Sequence, residues 1–502
     1  MNKFAKLVGY DKNKQTSVKT EITAGIVTFL AMAYILTLNP LLMLDMFGSN
    51  PYPHLYSSVF IATALGAFVG TILMAIYAKL PLAQAPGLGL NSMVGGLIGG
   101  GLIGFALSFG NAMLLVLISG MLFLLLSVLK VHGLSIREII YKGIPESIRK
   151  AISVGIGLFI ALIGLVNAGI IVPGQTQVPM GDTTFLVLGS GTIVDLVHFS
   201  NWNAAIAPAL VCVFGFAVIV ILSHFKVKGA TIIGIAAATL VGLIPKLGVT
   251  QWSGESWKFW ESFEGFFSFD TAEGGTFFAA FTEGFKFSDG VPVMSLVMVV
   301  ITFCMIDMFD TMGTCVGCCS AAGLMTEDGV PMNYNRIMVA DSVATATGAV
   351  LGTSTVTTFV ESGAGIAAGG KTGLTAFTTA ILFLLSIFVL PVFASIPSAA
   401  ASAALIWVGC LMLKGATELK LDSVKDFVPA FLTIAIMPFG YSITDGIGLG
   451  ILSYVAIDLC EYVVNFVAYK FGKKEKPVWD MHVVLLIIAA LFIVYFFVPT
   501  SF

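Results

Sequence analysis

Apolar residues run through this chain in stretches of about 20, the length an α-helix needs to cross a hydrocarbon layer, with short polar connections between them. Seven such stretches lie near 21–39, 57–78, 88–105, 112–130, 150–171, 204–223 and 229–246. Seven more lie near 292–315, 335–351, 358–370, 374–393, 397–414, 426–443 and 447–468. No Asp, Glu, Lys or Arg occurs between Lys79 and Lys130, or between Lys371 and Lys414. Each interval has room for two spans, and Pro397 divides the second. A last apolar segment, 483–498, is either a fifteenth span or a helix lying against the bundle.

The basic residues test this count, because cytoplasmic connections are enriched in them. With the Lys-rich start placed inside, Arg137, Lys142, Arg149, Lys150, Lys226, Lys228, Arg336, Lys371, Lys414, Lys420 and Lys425 all fall on that side. On the other side, connection 172–203 has no Lys or Arg and 247–290 carries Glu255, Glu261, Glu264, Asp270 and Glu273. The expectation is a multi-pass protein of the inner (plasma) membrane with a cytoplasmic amino terminus. The polar first 20 residues form no cleavable signal peptide, so the first span doubles as the insertion signal. Composition agrees: 57% of residues are hydrophobic and 11% charged, so the bilayer is the solvent and no large soluble domain fits. Seven cysteines, nearly all in apolar runs, argue against disulfides. A net charge of -3 without a basic stripe sets nucleic acid aside.

The two series of seven reflect a duplication. Residues 86–100 align without gaps on 356–370, so that Ser92, Gly95, Gly99 and Gly100 match Ser362, Gly365, Gly369 and Gly370 while Asn91 falls opposite Glu361. Ala207-Pro208-Ala209-Leu210 similarly resembles Val428-Pro429-Ala430-Phe431. An odd number of spans per repeat inverts one half against the other, as in many secondary transporters. The third and tenth segments each open on Pro, Gly, Thr or β-branched residues and continue as small residues at helical spacing. They are expected to be broken, extended first and then a half-helix whose terminal N–H groups face a ligand near the midplane. The same small residues also suit close helix packing.

Ionisable groups inside spans cost about 2.5 kcal/mol or more at the centre on insertion scales, so they are functional candidates. Asp307 and Asp310 sit three apart on one helical face, and Glu361 lies in the tenth segment. A carboxyl group in an apolar cavity suits proton carriage, and a carboxylate accepts paired N–H donors from the edge of a planar heterocycle. Asp310 has a local alternative, fixing its own helix through backbone or Thr311. Asp341, Asp445, Asp458 and Glu461 lie nearer helix ends and read as caps or interface charges.

Four motifs in order, Ala31-Met32-Ala33-Tyr34 with Asn39-Pro40, Ala85-Pro86-Gly87-Leu88-Gly89-Leu90-Asn91, Phe309-Asp310-Thr311-Met312-Gly313-Thr314, and Thr357-Thr358 through Glu361-Ser362 to Gly369-Gly370-Lys371-Thr372-Gly373-Leu374-Thr375, resemble the azaguanine-resistance-type purine permeases, the adenine/guanine/hypoxanthine branch of the nucleobase/ascorbate transporter superfamily. The resemblance covers about residues 4–470. It implies an all-α integral membrane protein with the uracil-permease fold, about fourteen spans in a seven-plus-seven inverted repeat, often a homodimer. A core domain (1–135 and 291–395) would move against a gate domain (136–246 and 396–470), with 247–290 an extracytoplasmic loop and 471–502 a tail. It further implies import of hypoxanthine, guanine or adenine by elevator-like proton symport, H⁺ being the coupling ion and no cofactor or metal being needed. Carried over by motif, Asp307 and Glu361 bind substrate, and Asp310 and Asn91 are implicated. Proton coupling would fall to Glu361, Asp307 and Asp310. Thr358 and Ser362, which flank the glutamate in the same motif, are expected to bind substrate with it, as is Asn91. Phe309 and Phe359 are the aromatic candidates for stacking on a purine, with Phe29 and Tyr34 behind them. Two departures, Leu88 for a common Met and Lys371 for a common Arg, leave this reading intact.

Some patterns mislead. Gly365 to Thr372 matches the P-loop expression, yet it lies at a membrane exit without the strand and helix of an NTPase. Cys315, Cys318 and Cys319 have no second pair or His to complete a zinc set. An anion transporter or exchanger on the same fold is the main rival, opposed by Glu361. An intramembrane aspartyl protease would need Asp residues on two helices, and a channel would need a filter motif.

Overall fold

The structure, a computed structural model, describes residues 3–10, 16–44, 52–98, 107–131, 134–135, 139–140, 143–180, 183–192, 206–227, 229–244, 249, 259–288, 291–326, 331–419, 421–440, 442–471 and 481–497. Gly99, Gly100 and 250–258, which figure in the repeat and in the acidic connection, lie outside these residues.

Each of the fourteen expected segments has a counterpart. The first half comprises α1 (Val18–Met32), α2 (Ile35–Leu44), α3 (Tyr56–Leu73), strand β1 (Gln84–Pro86), α4 (Leu88–Ile98), α5 (Phe109–Val128), α6 (Glu146–Asn167), strands β2 (Ile171–Met180) and β3 (Thr183–Thr192), α7 (Ala207–His224) and α8 (Ala230–Gly242). The second comprises α9 (Val293–Ala321), α10 (Tyr334–Leu351), β4 (Val356–Thr358), α11 (Ser362–Ala367), α12 (Gly373–Ser386), α13 (Ser398–Met412), α14 (Val424–Phe439) and α15 (Ile443–Lys470). Helix α16 (Val483–Phe497) follows. Among the described residues nine helices are long and apolar enough to span a bilayer, the first being α1 and α2 read as one.

Backbone at membrane depth must find partners within the protein, and the two broken segments find them in each other. Strands β1 and β4 pair antiparallel, Gln84 with Thr358, Ala85 with Thr357 and Pro86 with Val356. Pro86 thus faces the residue it meets in the ungapped alignment of the halves, which puts the pseudo-two-fold axis through this pair. The pairing extends by Gly87 N–H to the Thr355 carbonyl (2.9 Å) and Phe359 N–H to the Ala83 carbonyl (3.0 Å). The half-helices α4 and α11 leave the crossing from its two sides.

The helices sort into two packing groups. In one, α5 and α3 pack on α10, α12 packs on α1 and α3, and α4 on α2. In the other, α6 packs on α13 and α14, α15 on α14, and α7 and α8 on each other and on α13. Asn39 explains its motif within the first group: its amide donates to Thr63 Oγ1 (2.6 Å) and Thr353 Oγ1 (2.7 Å), tying α2 to α3 and to the approach to β4. Pro40, inside α2, supplies no N–H and bends the segment.

Glycine closes the seam between α1 and α11. A Cβ on Gly365 would overlap Thr28 Oγ1 and approach the Ala24 carbonyl at 2.7 Å. Gly365→Ala is therefore expected to push α11 off α1 and destabilise the fold by about 1–3 kcal/mol, the usual cost of overpacking. A lower thermal midpoint of the purified protein checks this.

One feature departs from a purely helical reading. The connection after α6 folds as the long hairpin β2–β3, with Ile171 opposite Thr192 and Met180 opposite Thr183. It lies between spans, where apolar length gives no signal. Of the apolar segment 483–498, Val483–Phe497 form a fifteen-residue helix lying against α15 and α9. Leu485, Ile488, Ala489 and Phe492 are buried against the bundle, while Val483, Ile487 and Phe497 face outward.

Candidate substrate site

Glu361 stands where β4 gives way to α11, at the N-cap position, but its side chain makes no capping bond. It turns to Tyr34, whose hydroxyl donates to Glu361 Oε1 at 2.6 Å. Tyr34 lies in the break between α1 and α2, so the carboxylate is held between two interrupted spans. A carboxylate offers about four acceptor positions, of which Tyr34 takes one. Asp310, half-buried on α9, lies within electrostatic reach of both Tyr34 and Glu361.

Tyr34 and Glu361 line a cavity of about 420 Å³ between the two packing groups. Ala31 and Ala364 complete its wall on their side. The opposite wall comes from the α7–α8 turn, with Ser223, Lys226 and Thr231, and from Trp407 on α13. The volume is in the range of small-molecule sites, which are mostly apolar with a few convergent polar groups. The cavity holds one acid, one base and one phenol, with an indole on the far side.

Behind the strand crossing lies a second, fully buried polar cluster. Asp341, in the middle of α10, accepts from Gln84 Nε2 (2.6 Å) and Thr358 Oγ1 (3.3 Å) at Oδ1, and from Thr311 Oγ1 (2.7 Å) at Oδ2. Thr357 Oγ1 lies 2.6 Å from Thr311 Oγ1. Thr345 Oγ1 donates to Asp307 Oδ2 at 2.8 Å. One cluster thus ties β1, β4, α9 and α10 together.

The expected site residues divide between these two places. Glu361 is on the cavity wall, and Asp310 does not line the cavity but feels the charge of Glu361. Asp307 is buried on Thr345 and does not line the cavity. Asn91 is buried beside the crossing, donating to the Pro86 carbonyl (3.4 Å) and accepting from Ser354. The hydroxyls of Thr358 and Ser362 are engaged within the scaffold: Thr358 holds Asp341, and Ser362 Oγ accepts the Ala83 N–H at 2.9 Å. Phe359 is buried away from the cavity. The Phe309 side chain lies outside the described residues. Phe29 packs edge-on against Phe383 (5.2 Å between centroids) rather than presenting a face.

Two sequence expectations need correcting. The first amides of α11 are not free, because Ser362, Gly363 and Ala364 donate to the carbonyls of Phe359, Val360 and Glu361 in tight turns. The half-helix is only six residues long and closes its own N-terminus. Asp341 is not a helix-end charge, since it lies well inside α10 and accepts three side-chain hydrogen bonds. Its partner Gln84 was the available signal, an amide in an otherwise apolar approach to Pro86. Of the other acids read as end charges, Asp445 does lie in the first turn of α15, whereas Asp458 and Glu461 lie well inside that helix and Asp458 pairs across the interface with Lys425 of α14.

Residues 19–449 match the Xan_ur_permease family model, described as a permease family. The chain belongs to this permease family. A guanine/hypoxanthine permease of Bacillus subtilis (strain 168), PbuO, is 34% identical over 492 residues, covering 97% of this chain and 99% of its own. The adenine permease AdeQ of Escherichia coli (strain K12) is 34% identical over 446 residues, covering 89% of this chain and 88% of its own. Among solved structures, the transmembrane domain of the cyanobacterial bicarbonate transporter BicA matches with a TM-score of 0.55 at 14% identity, over 86% of this chain and 97% of that one. SLC26A9 matches with a TM-score of 0.57 at 12% identity, over 92% and 70%. These likenesses show the uracil-permease-like fold. The permease is a multi-pass membrane transporter, not an enzyme.

Proposed function

We propose that the permease imports purine nucleobases by proton symport, with the group containing α1–α5 and α9–α12 moving as a core against the group containing α6–α8 and α13–α15. One observation carries the chemistry. In a chain related over nearly its whole length to purine permeases, a carboxylate held by one phenol faces a cavity between the two groups. Glu361 accepts N–H donors from the purine edge, and Asp310 lies near enough to exchange influence with it as protons bind. Asp307, Asn91, Thr358 and Ser362 act here as the frame that sets Glu361 in place. Trp407, on the opposite wall, offers an aromatic surface to the ring. A resident anion would meet the negative charge of Glu361, which disfavours an anion exchanger. No cofactor or metal enters the mechanism.

The test is uptake of labelled hypoxanthine, guanine and adenine by cells that lack their own purine permeases. The expected result is saturable uptake of at least one base that collapses with a protonophore. A well-expressed protein that takes up none of the three overturns the purine reading. Uptake indifferent to the protonophore overturns the proton coupling alone.

A further inference from the structure

The Gly365–Thr372 stretch copies a phosphate-binding loop without its setting, and the structure shows what its backbone holds. Glu21, fully buried in the first turn of α1, sends its carboxylate into the turn before α12. Oε1 accepts the Lys371 N–H at 3.1 Å, and Oε2 accepts the Thr372 N–H at 3.2 Å. Thr375 Oγ1 donates to Oε2 at 2.6 Å. Backbone N–H groups at a helix N-terminus suit an anion, and here the anion belongs to the chain itself.

The same helix carries this contact at one end and the substrate site near the other. Thirteen residues separate Glu21 from Tyr34, about 20 Å along a helix. Between them α1 is pressed onto α11 and α12 through glycines: a Cβ on Gly370 would lie 2.9 Å from Ala24 Cβ and 2.7 Å from Thr375 Oγ1. Thr379 Oγ1 adds a bond to the Gly25 carbonyl at 2.9 Å. With so close a seam, the axial position of α1 follows from where Glu21 is held. That position in turn fixes the 2.6 Å contact between Tyr34 and Glu361.

We propose that Glu21 is a positioning residue for transport, an internal anion that locks the first span onto the Gly-Lys-Thr turn and so sets Tyr34 against Glu361. The effect on uptake rests on the purine reading; the mechanical coupling does not. Two measurements separate them, on wild type, Glu21→Gln, Tyr34→Phe and the double variant. In uptake assays, Glu21→Gln is expected to raise the half-saturating purine concentration about tenfold at preserved membrane abundance, the scale of lost charge-assisted hydrogen bonds. In the Tyr34→Phe background it should add less than about twofold. For the detergent-purified proteins, the thermal midpoint shifts of the two single changes should not add, although the residues do not touch; distant independent sites do add. Additive midpoint shifts, or an unchanged half-saturation with only reduced abundance, would overturn the proposal. A wild type without purine uptake removes the purine reading, and the thermal cycle then decides the coupling alone. If Glu21→Gln does not accumulate, Thr375→Val removes one arm of the same clamp and enters the same cycle.

Discussion

Glu361→Gln is expected to lower purine uptake about 100-fold or more while the protein still reaches the membrane at wild-type abundance. The separation follows from its surroundings. Glu361 is half-buried, its described side-chain bond is the one from Tyr34, and the amide has nearly the same shape, so the fold loses little. Function loses both roles at once, because an amide cannot ionise and presents N–H where the purine edge needs an acceptor. Uptake rates normalised to surface abundance decide the matter. A variant that transports at more than about a third of the wild-type rate would remove Glu361 from the centre of the account.

The second large effect falls on the scaffold. Asp341→Ala leaves Gln84 Nε2, Thr311 Oγ1 and Thr358 Oγ1 without their common acceptor inside the protein. Each stranded polar group costs about 1–3 kcal/mol, and the strand crossing that carries both half-helices depends on all three. The expected outcome is the reverse of that for Glu361: little protein survives detergent extraction as a single dispersed species. What survives should unfold at a thermal midpoint lower by many degrees. Fluorescence-detected size exclusion with a melting series measures both. An Asp341→Ala protein with wild-type elution and midpoint would show that the cluster is not what holds the crossing.

The contrast between these two acids shows what sequence reading reaches. Spans are visible because apolar length is a one-dimensional property, and the inverted repeat because fifteen residues align without a gap. Glu361 is visible because a charge in a broken span has few explanations. Asp341 escaped because its role comes from Gln84, 257 residues away in the chain, and only the β1–β4 pairing brings the two together. The same limit applies to Asp307. Its place in a span was evident, but whether it faced the cavity or Thr345 depended on the rotation of α9 against α10. Glu21 shows a third kind of blindness: the P-loop pattern was rightly refused on context, yet the donors it describes do hold an anion, supplied by a helix more than 300 residues away. The hairpin β2–β3 left no trace in an apolar-length search, since its ten-residue strands, broken by Pro, Gly, Gln and Ser, contain no apolar run of span length.

If the carboxylate at the cavity wall holds the purine, equilibrium binding depends on it. Purified wild type and Glu361→Gln would be titrated with hypoxanthine, guanine and adenine by calorimetry, after their thermal midpoints are shown to agree. The expected result is saturable binding of at least one base to the wild type and none to the variant. Equal binding by both proteins would contradict it and place the purine somewhere other than against Glu361.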